Sequence, residues 1–139
     1  MDKHLMEMLR SVPLFSGLND KQIKTIVGTG KQLQFAENTR IVKEGDAGVG
    51  FYLVLDGCAE VRHKGKVLSK LGRGDFFGEM SLLDKQPRSA DVVSTSQVDC
   101  FGLTSWAFAG LLQTQPDIAV NMMKEFARRL RASNNAISE

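Results

Sequence analysis

The stretch "FGEMSLLDKQPRSA", residues 77–90, contains residues typical of turns, with one charged residue near each end and an Asp–Lys pair between them. Glu79 is a lone carboxylate near its start, and Arg88 is a lone guanidinium near its end, both among small and apolar neighbours. Gly78 permits close approach of the backbone, and the N–H groups at the start of the following turn favour an anion. The first half of the stretch is therefore predicted to be an anion-binding turn.

The second half of the stretch is predicted to return as extended chain. Pro87 disfavours the helical region at Gln86, so a short helix or turn over residues 79–85 should end there. The extended return then carries Arg88 into the β-structure, where small neighbours leave room around the guanidinium. This geometry places the guanidinium of Arg88 beside the amides of the turn.

The residue types of the stretch match a compact nucleotide. A guanidinium next to exposed amides fits a bidentate phosphate contact. A carboxylate accepts hydrogen bonds from hydroxyl groups, and a vicinal sugar hydroxyl is a natural partner. One phosphate and one ribose hydroxyl held close together describe such a ligand. The alternative is that Glu79 and Arg88 pair with one another or are solvated.

Outward from this stretch, residues 33–103 have the pattern of antiparallel β-structure. Short runs rich in β-branched and aromatic residues alternate with glycine-containing turns, which is typical of a closed or double-sheet architecture. The run "HKGK" at 63–66 is predicted to be a hairpin tip. The sequence thus predicts a mainly β, α+β fold whose centre is an antiparallel, jelly-roll-like double-stranded β-roll.

Helices are predicted on both sides of the roll, within a single domain spanning 1–139. Residues 1–32 are helical by periodicity, with Asn19 or Asp20 capping a second helix. Residues 104–139 contain a short helix and a longer one that starts at Pro116. The longer helix has an apolar stripe formed by Ala119, Met122, Met123, Phe126 and Leu130, which packs either on the roll as ordinary core or against a second copy of the chain.

The composition excludes several classes of protein. The net charge of +2, from 18 basic and 16 acidic residues, does not suggest a strong polyanion binder. The N-terminus lacks the apolar run of a signal peptide, and no segment is long enough to span a bilayer. Cys58 and Cys100 are too few for a disulfide framework and are predicted to be buried thiols. We expect a cytoplasmic protein without a membrane partner.

The sequence offers no set of residues for catalysis. His4 and His63 are distant in sequence, so a β-barrel metal site with several histidines is not expected. No histidine accompanies Ser81, Ser89 or either cysteine in a nucleophile pattern. Hydrolysis of a phosphodiester would need metal ligands or an activated water, and no candidate cluster is present. We therefore expect no enzymatic activity, no metal and no cofactor.

Several motifs in order resemble those of cyclic nucleotide-binding domains, the family shared by the catabolite activator protein, the regulatory subunits of protein kinase A and cyclic-nucleotide-gated channels. Residues 77–90 resemble its phosphate-binding cassette. The other motifs, which extend the resemblance over nearly the whole chain, are "VPLFSGL" at 12–18, "KEGDAGVGFYLVLDGCAEV" at 43–61, "GDFFGE" at 74–79 and "PDIAVNMMKEFARRLRAS" at 116–133.

The resemblance implies a role for each residue of the cassette. Glu79 would accept a hydrogen bond from the ribose 2′-hydroxyl, and Arg88 would neutralise the cyclic phosphate. Backbone N–H groups around Gly78, Glu79, Met80 and Ser81, and at Ser89, would assist Arg88. The cassette departs from the family at Ser81, where alanine is common, and is one residue shorter than that of the catabolite activator.

Further positions are implied outside the cassette. Leu68 and Ser69 align with positions lining the base and ribose region, and Val61 is a candidate wall for the base. On the C-terminal helix Arg129, Ser133 and Asn134 align with residues that meet the ligand in the bacterial relative. For Arg129 the alternative is that a basic last turn merely complements the helix dipole.

The resemblance implies a sensor that binds cyclic AMP or cyclic GMP and relays binding to its C-terminal helix. Ser89 is compatible with either base, and the bacterial character of the pattern favours cyclic AMP. We also expect a homodimer through the C-terminal helix and no specific DNA binding, because the chain carries no helix-turn-helix after that helix. The alternatives are the sensing part of a catabolite-activator-type transcription regulator and a module that keeps the fold without binding nucleotide.

Overall fold

The computed structural model describes residues 3–48, 50–84 and 86–138. The chain divides into two compact units. The roll unit comprises residues 28–109, and the helical unit comprises residues up to 27 together with those from 110 onward. The single domain over 1–139 stays a prediction.

The roll unit contains two four-stranded antiparallel sheets. The first has the order β1-β8-β3-β6 and the second has the order β2-β7-β4-β5. The strands are β1 (Lys31–Phe35), β2 (Arg40–Val42), β3 (Gly50–Asp56), β4 (Ala59–His63), β5 (Lys66–Leu71), β6 (Phe76–Phe77), β7 (Asp91–Ser94) and β8 (Val98–Thr104). The predicted antiparallel β-roll is confirmed, and its strands begin and end within two residues of the expected limits of 33 and 103.

Alternating side chains form an apolar cluster that includes residues of both sheets. Val54, Val98 and Cys100 are fully buried at its centre. Because neighbouring residues of a strand point to opposite faces, these positions share the face of the first sheet that carries Phe35, Tyr52 and Phe77. Ile41 of β2 packs against the same cluster and links the second sheet to it.

The hairpin between β4 and β5 follows from its turn residues. His63 pairs with Lys66, which leaves Lys64 and Gly65 as the connecting residues. Their φ angles are 52° and 79°. Two successive positive φ angles are typical of the type I′ turn, whose twist matches that of the strands. The hairpin tip predicted at 63–66 is confirmed.

The described part of the chain also contains four α-helices, and the start of α2 is set by a capping residue that the sequence predicts. They are α1 (Lys3–Arg10), α2 (Asp20–Thr29), α3 (Ser105–Thr114) and α4 (Pro116–Ser138), with a short 3-10 helix at Pro13–Phe15. Asn19 caps α2, because its Oδ1 accepts from the N–H of Gln22 at 2.9 Å while Gln22 Oε1 accepts from the N–H of Asn19 at 3.0 Å. This reciprocal pair is a capping box.

Helix α4 passes close to the N-terminal segment within the helical unit. A side chain at Gly17 would place its Cβ 3.0 Å from Cβ of Glu125, so glycine permits the approach. Asn121 Nδ2 donates to Gln22 Oε1 at 2.9 Å, which links α4 to the cap of α2. Among the described residues, no helix is both long and apolar enough to cross a membrane.

One detail differs from the sequence-based expectations. Cys58 is exposed, whereas Cys100 is buried as predicted. Cys58 lies between β3 and β4 after Gly57, whose φ of 94° turns the chain out of the strand. On α4 the apolar stripe is only partly buried: Met122 is buried, but Met123 and Leu130 are 60% and 62% exposed.

Candidate functional site

The anion-binding turn predicted at Gly78 is formed by a left-handed residue followed by a single helical turn. Strand β6 leads into Gly78, which has φ 80° and ψ 15°, and a 3-10 helix follows at Glu79–Leu82. A Cβ at Gly78 would collide with Nη1 of Arg88 and with the carbonyl oxygen of Gly50. Glycine is therefore required for the backbone angle and for the space that the guanidinium occupies.

Backbone hydrogen bonds hold the returning chain in place. The N–H of Arg88 donates to the carbonyl of Asp46 at 2.9 Å, and the N–H of Gly45 donates to the carbonyl of Arg88 at 2.9 Å. The N–H of Gly48 donates to the carbonyl of Gln86 at 3.1 Å. The return is thus extended after Pro87, as predicted, and is bound to the loop that precedes β3.

The Arg88 side chain is half-buried and contacts neutral groups. Its Nη2 donates to the carbonyl oxygen of Gly50. Within residues 3–48, 50–84 and 86–138, Arg88 forms no ion pair with a carboxylate. Burial is the larger influence and lowers the pKa of Arg88, whereas the nearby Tyr52 acts in the opposite direction. Since an arginine stays protonated in proteins, the result is a partly desolvated positive charge that a bound anion would stabilise.

A cavity of about 370 Å³, the cassette cavity, lies between the turn and the returning chain. Glu79 and Arg88 both line it, so the two charges that are nine residues apart in the sequence face one space. The full lining is Phe76, Phe77, Gly78, Glu79, Met80, Ser81, Asp84, Gln86, Pro87, Arg88 and Ser89. The structure therefore brings together the six cassette residues that the sequence singled out.

The predicted base-contacting residues lie on the second sheet. Val61 of β4 pairs with Ser69 of β5, and Leu68 is exposed next to Ser69. Among the described residues, these three do not belong to the lining of the cassette cavity. Their contact with the base stays a prediction.

The predicted C-terminal contacts lie on α4, in the helical unit. Arg129 Nε donates to Oε2 of Glu125 at 2.8 Å, and its Nη2 donates to Oγ of Ser16 at 3.2 Å. Ser133 and Asn134 are exposed near the end of the helix. Arg129 thus has partners within its own unit, and the role of all three residues toward a ligand stays a prediction.

Two residues at the site were not predicted from the sequence. Gly50 supplies the carbonyl that accepts from Arg88, and Tyr52 is the aromatic residue that influences its pKa. The ring of Tyr52 stacks on Phe77, with centroids 5.0 Å apart and planes at 20°. The sequence feature that points to these residues is the glycine-rich run before β3. Such a run indicates that another part of the chain approaches the backbone closely, but it does not identify that part.

The fold and the cassette cavity define a β-roll protein in which a guanidinium and a carboxylate face one space. Residues 32–115 match the model of the family described as "Cyclic nucleotide-binding domain". The match includes both sheets except the first residue of β1, and it includes the whole cassette. The chain belongs to the cyclic nucleotide-binding domain family.

Two sequence relatives illustrate the range of this family. The cyclic AMP receptor protein of Thermus thermophilus is 31% identical over 131 residues, which cover 91% of this chain and 61% of the relative. A cGMP-dependent protein kinase of Plasmodium berghei is 30% identical over 107 residues, which cover 76% of this chain and 12% of the kinase. The chain thus spans less than two thirds of the length of either relative.

Solved structures have the same fold. The N-terminal domain of a transcriptional regulator from Streptomyces coelicolor A3(2) superposes with a TM-score of 0.81 at 29% identity, covering 94% of each chain. The regulatory domain of Toxoplasma gondii PKA, crystallised with cAMP, gives 0.72 at 31% identity, covering 78% of this chain and 43% of that one. The chain is therefore a cyclic nucleotide-binding domain similar to those of bacterial receptor proteins and kinase regulatory subunits.

Proposed function

We propose that the cassette cavity binds a 3′,5′-cyclic nucleotide through its phosphate and its ribose. Arg88 contacts the cyclic phosphate, and Glu79 accepts from the ribose 2′-hydroxyl. The backbone N–H groups of Gly78, Glu79, Met80, Ser81 and Ser89 surround the phosphate. The observation that carries the proposal is the half-buried guanidinium of Arg88, which contacts a neutral carbonyl and lines the same cavity as Glu79.

The charge of the ligand matches this arrangement. A cyclic phosphodiester has one negative charge, and a single half-buried guanidinium neutralises it without a second cation. Hydrogen bonds to charged groups contribute about 1.5–3 kcal/mol each, and the planar fork of arginine can form two of them with one phosphate. An open phosphate monoester carries more charge and is expected to bind less tightly.

We further propose that cyclic AMP is preferred over cyclic GMP. The Thermus relative and the Toxoplasma complex are both named for cyclic AMP, whereas the Plasmodium kinase is named for cyclic GMP. The hydroxyl of Ser89 can contact the phosphate with either base. Leu68, Ser69 and Val61 are proposed to contact the base from the second sheet.

The output is proposed to be binding and relay rather than catalysis. The groups around the cavity can bind and orient a phosphodiester, but cleavage would need a metal or an activated water. If the nucleotide binds one arrangement of the cassette more tightly than another, its binding would shift the position of α4. The proposed ligand contacts on α4 are Arg129, Ser133 and Asn134.

A homodimer contact is proposed on α4. The exposed apolar residues that would form it are Val120, Met123 and Leu130. We propose a cytoplasmic protein with a cyclic nucleotide as its partner.

A second candidate is the sensing part of a transcription regulator. The observation that favours it is the similarity of this chain, over 94% of its length, to the N-terminal domain of the Streptomyces regulator. Both candidates share the cassette chemistry, so the same titration tests the site in either.

The test is calorimetric titration of the wild type and of Arg88→Ala with cyclic AMP and cyclic GMP. Loss of the Arg88 guanidinium should weaken nucleotide binding about 100-fold, because two charge-assisted hydrogen bonds to the phosphate are removed. Arg73→Ala is the matched control, since Arg73 is an exposed arginine of the same unit outside the cavity lining. The melting temperature of each variant reports whether the fold is retained.

The outcomes separate the parts of the proposal. If Arg88→Ala keeps its fold and its affinity within twofold of the wild type, the cassette assignment is wrong. If the wild type binds neither nucleotide, the module that keeps the fold without a ligand is the correct alternative. A preference for cyclic GMP would overturn only the choice of base.

A further inference from the structure

A second cavity, the roll cavity, lies in the roll unit and is larger than the cassette cavity. Its volume is about 460 Å³, within the range of small-molecule sites. It is lined mainly by apolar groups, and it shares none of its residues with the lining of the cassette cavity. The lining residues are Thr29, Lys31, Leu33, Gly50, Tyr52, Gly102, Leu103, Thr104, Trp106 and Ala107.

Two glycines on neighbouring strands line this space. A Cβ at Gly102 would lie 2.8 Å from Cδ1 of Leu33 and 3.7 Å from Cδ1 of Tyr52. A Cβ at Gly50 would lie 3.7 Å from Cε2 of Tyr52. Side chains at these two positions would narrow the cavity against Leu33 and Tyr52. Because the cavity is open to solvent on the side of the exposed Trp106, an apolar ligand that fills it would remove apolar surface from water.

The lining defines the chemistry of the occupant. Trp106, the only tryptophan of the chain, lines the cavity while 63% exposed, so its ring is available to stack on an aromatic ligand. Lys31 is the one charged residue in the lining as the structure describes it. An apolar body with a single anionic group matches these features.

The roll cavity is adjacent to the groups that hold Arg88. Gly50 lines the cavity, and its carbonyl accepts from the guanidinium of Arg88. Tyr52 lines the cavity too, and its ring stacks on Phe77, which lines the cassette cavity. An occupant that shifts Gly50 or Tyr52 would therefore change the position of Arg88.

We propose that the roll cavity is a second ligand site, for a small aromatic organic anion, and that its occupancy changes the affinity of the cassette cavity. The anion contacts Lys31, and the aromatic body lies against Trp106, Leu33 and Tyr52. Occupancy of the roll cavity does not depend on the proposed function, whereas the coupling rests on it.

The first experiment tests occupancy with two probes that share an aromatic skeleton. The anionic probe is 8-anilino-1-naphthalenesulfonate, and the neutral one is N-phenyl-1-naphthylamine. Energy transfer from Trp106 reports binding close to the cavity. Ala107→Leu should weaken binding of both probes at least tenfold, because the larger side chain fills space that the probes need, and leucine is a good helix former.

The contribution of the anion is tested with Lys31→Gln and its matched control Lys24→Gln, an exposed lysine outside the lining. Because exposed ion pairs contribute little, Lys31→Gln should weaken the sulfonate about 2- to 5-fold and leave the neutral probe unchanged. Equal binding of both probes to wild type, Ala107→Leu and Lys31→Gln would overturn the site.

The coupling is tested by titrating cyclic AMP with and without saturating sulfonate probe. An affinity change of about fivefold or more is expected, in either direction. Arg88→Ala should still bind the probe, which shows that the probe does not occupy the cassette cavity. Probe binding that is lost in Ala107→Leu but leaves cyclic AMP affinity unchanged would retain the site and overturn the coupling. Failure of cyclic AMP to bind at all would count against the proposed function and leave the probe result intact.

Discussion

Two arginines, one in each unit, show how the regions differ. Arg129 on α4 donates to the carboxylate of Glu125 at 2.8 Å. Arg88 in the roll unit is half-buried, and its side chain donates to the neutral carbonyl of Gly50. A charge that is paired with a carboxylate is largely compensated, whereas a desolvated charge against a carbonyl is not.

The surroundings favour the charged form of Glu125 in the helical unit and disfavour the charged form of Arg88 in the roll unit. Hydrogen bonds from Arg128 and Arg129 lower the pKa of Glu125 to about 2. In the cassette, burial lowers the pKa of Arg88 itself. The helical unit therefore contains a self-contained ion-pair network, and the roll unit contains a cation whose environment favours an added anion. This contrast explains why we assign the phosphate to Arg88 and treat Arg129 as a secondary contact.

Among the variants that test this difference between the two units, the largest loss of nucleotide affinity is expected for Gly78→Ala. A positive φ costs alanine about 1–2 kcal/mol, and the new methyl would also collide with the guanidinium of Arg88. Gly74→Ala is the matched control, because Gly74 has φ 90° but open space around its Cβ position. Both variants should lose stability in urea unfolding, and only Gly78→Ala should lose most of its nucleotide affinity. Equal affinities for the two variants would show that Arg88 does not depend on that space.

A second effect, about tenfold, is expected for Glu79→Gln. The amide keeps the size of the side chain but replaces a charged acceptor with a weaker one, which corresponds to about 1.5 kcal/mol. The wild type should discriminate between cyclic AMP and its 2′-deoxy analogue, and Glu79→Gln should largely lose that discrimination. If both proteins discriminate equally in competition titrations, Glu79 does not contact the 2′-hydroxyl.

A smaller effect is expected for Arg129→Ala. Because Glu125 and Ser16 already accept from this guanidinium, its removal should weaken nucleotide binding by only a few-fold. The comparison is made by calorimetry beside Arg88→Ala. A loss as large as that of Arg88→Ala would break the contrast between the two arginines.

The smallest effect concerns the pH dependence of the helical unit. The folded pKa of Glu125 is about 2, below the ordinary 4.5, so its contribution to stability is present above 4.5 and is lost as the pH falls toward 2. The difference in melting temperature between the wild type and Glu125→Gln should therefore shrink below pH 4.5. Glu37→Gln, at an exposed position in the loop after β1, is the control. A difference that stays constant from pH 6 to pH 3 would contradict the assignment.

Much of the fold followed from local patterns in the sequence. The spacing of apolar residues predicted the strands of the roll and the flanking helices, and the family resemblance predicted the position of the cassette. The exposure of Cys58 was mispredicted, because its apolar neighbours resemble a strand interior while the left-handed Gly57 turns the chain outward. The partners of Arg88 were not predictable, because Gly50 is 38 residues away and is brought to it by the pairing of distant segments.

The sequence by itself determined the turns, the caps and the strand pattern, since these depend on residues within a few positions of one another. It also determined which charges were available in residues 77–90. Only the tertiary structure decided that Arg88 donates to the carbonyl of Gly50 and that Arg88 and Glu79 line the same cavity. The physical reason is that backbone hydrogen bonds join the loop at 45–48 to the returning chain at 86–88. These segments are far apart in the sequence, so the local conformational preferences of their residues do not predict the pairing.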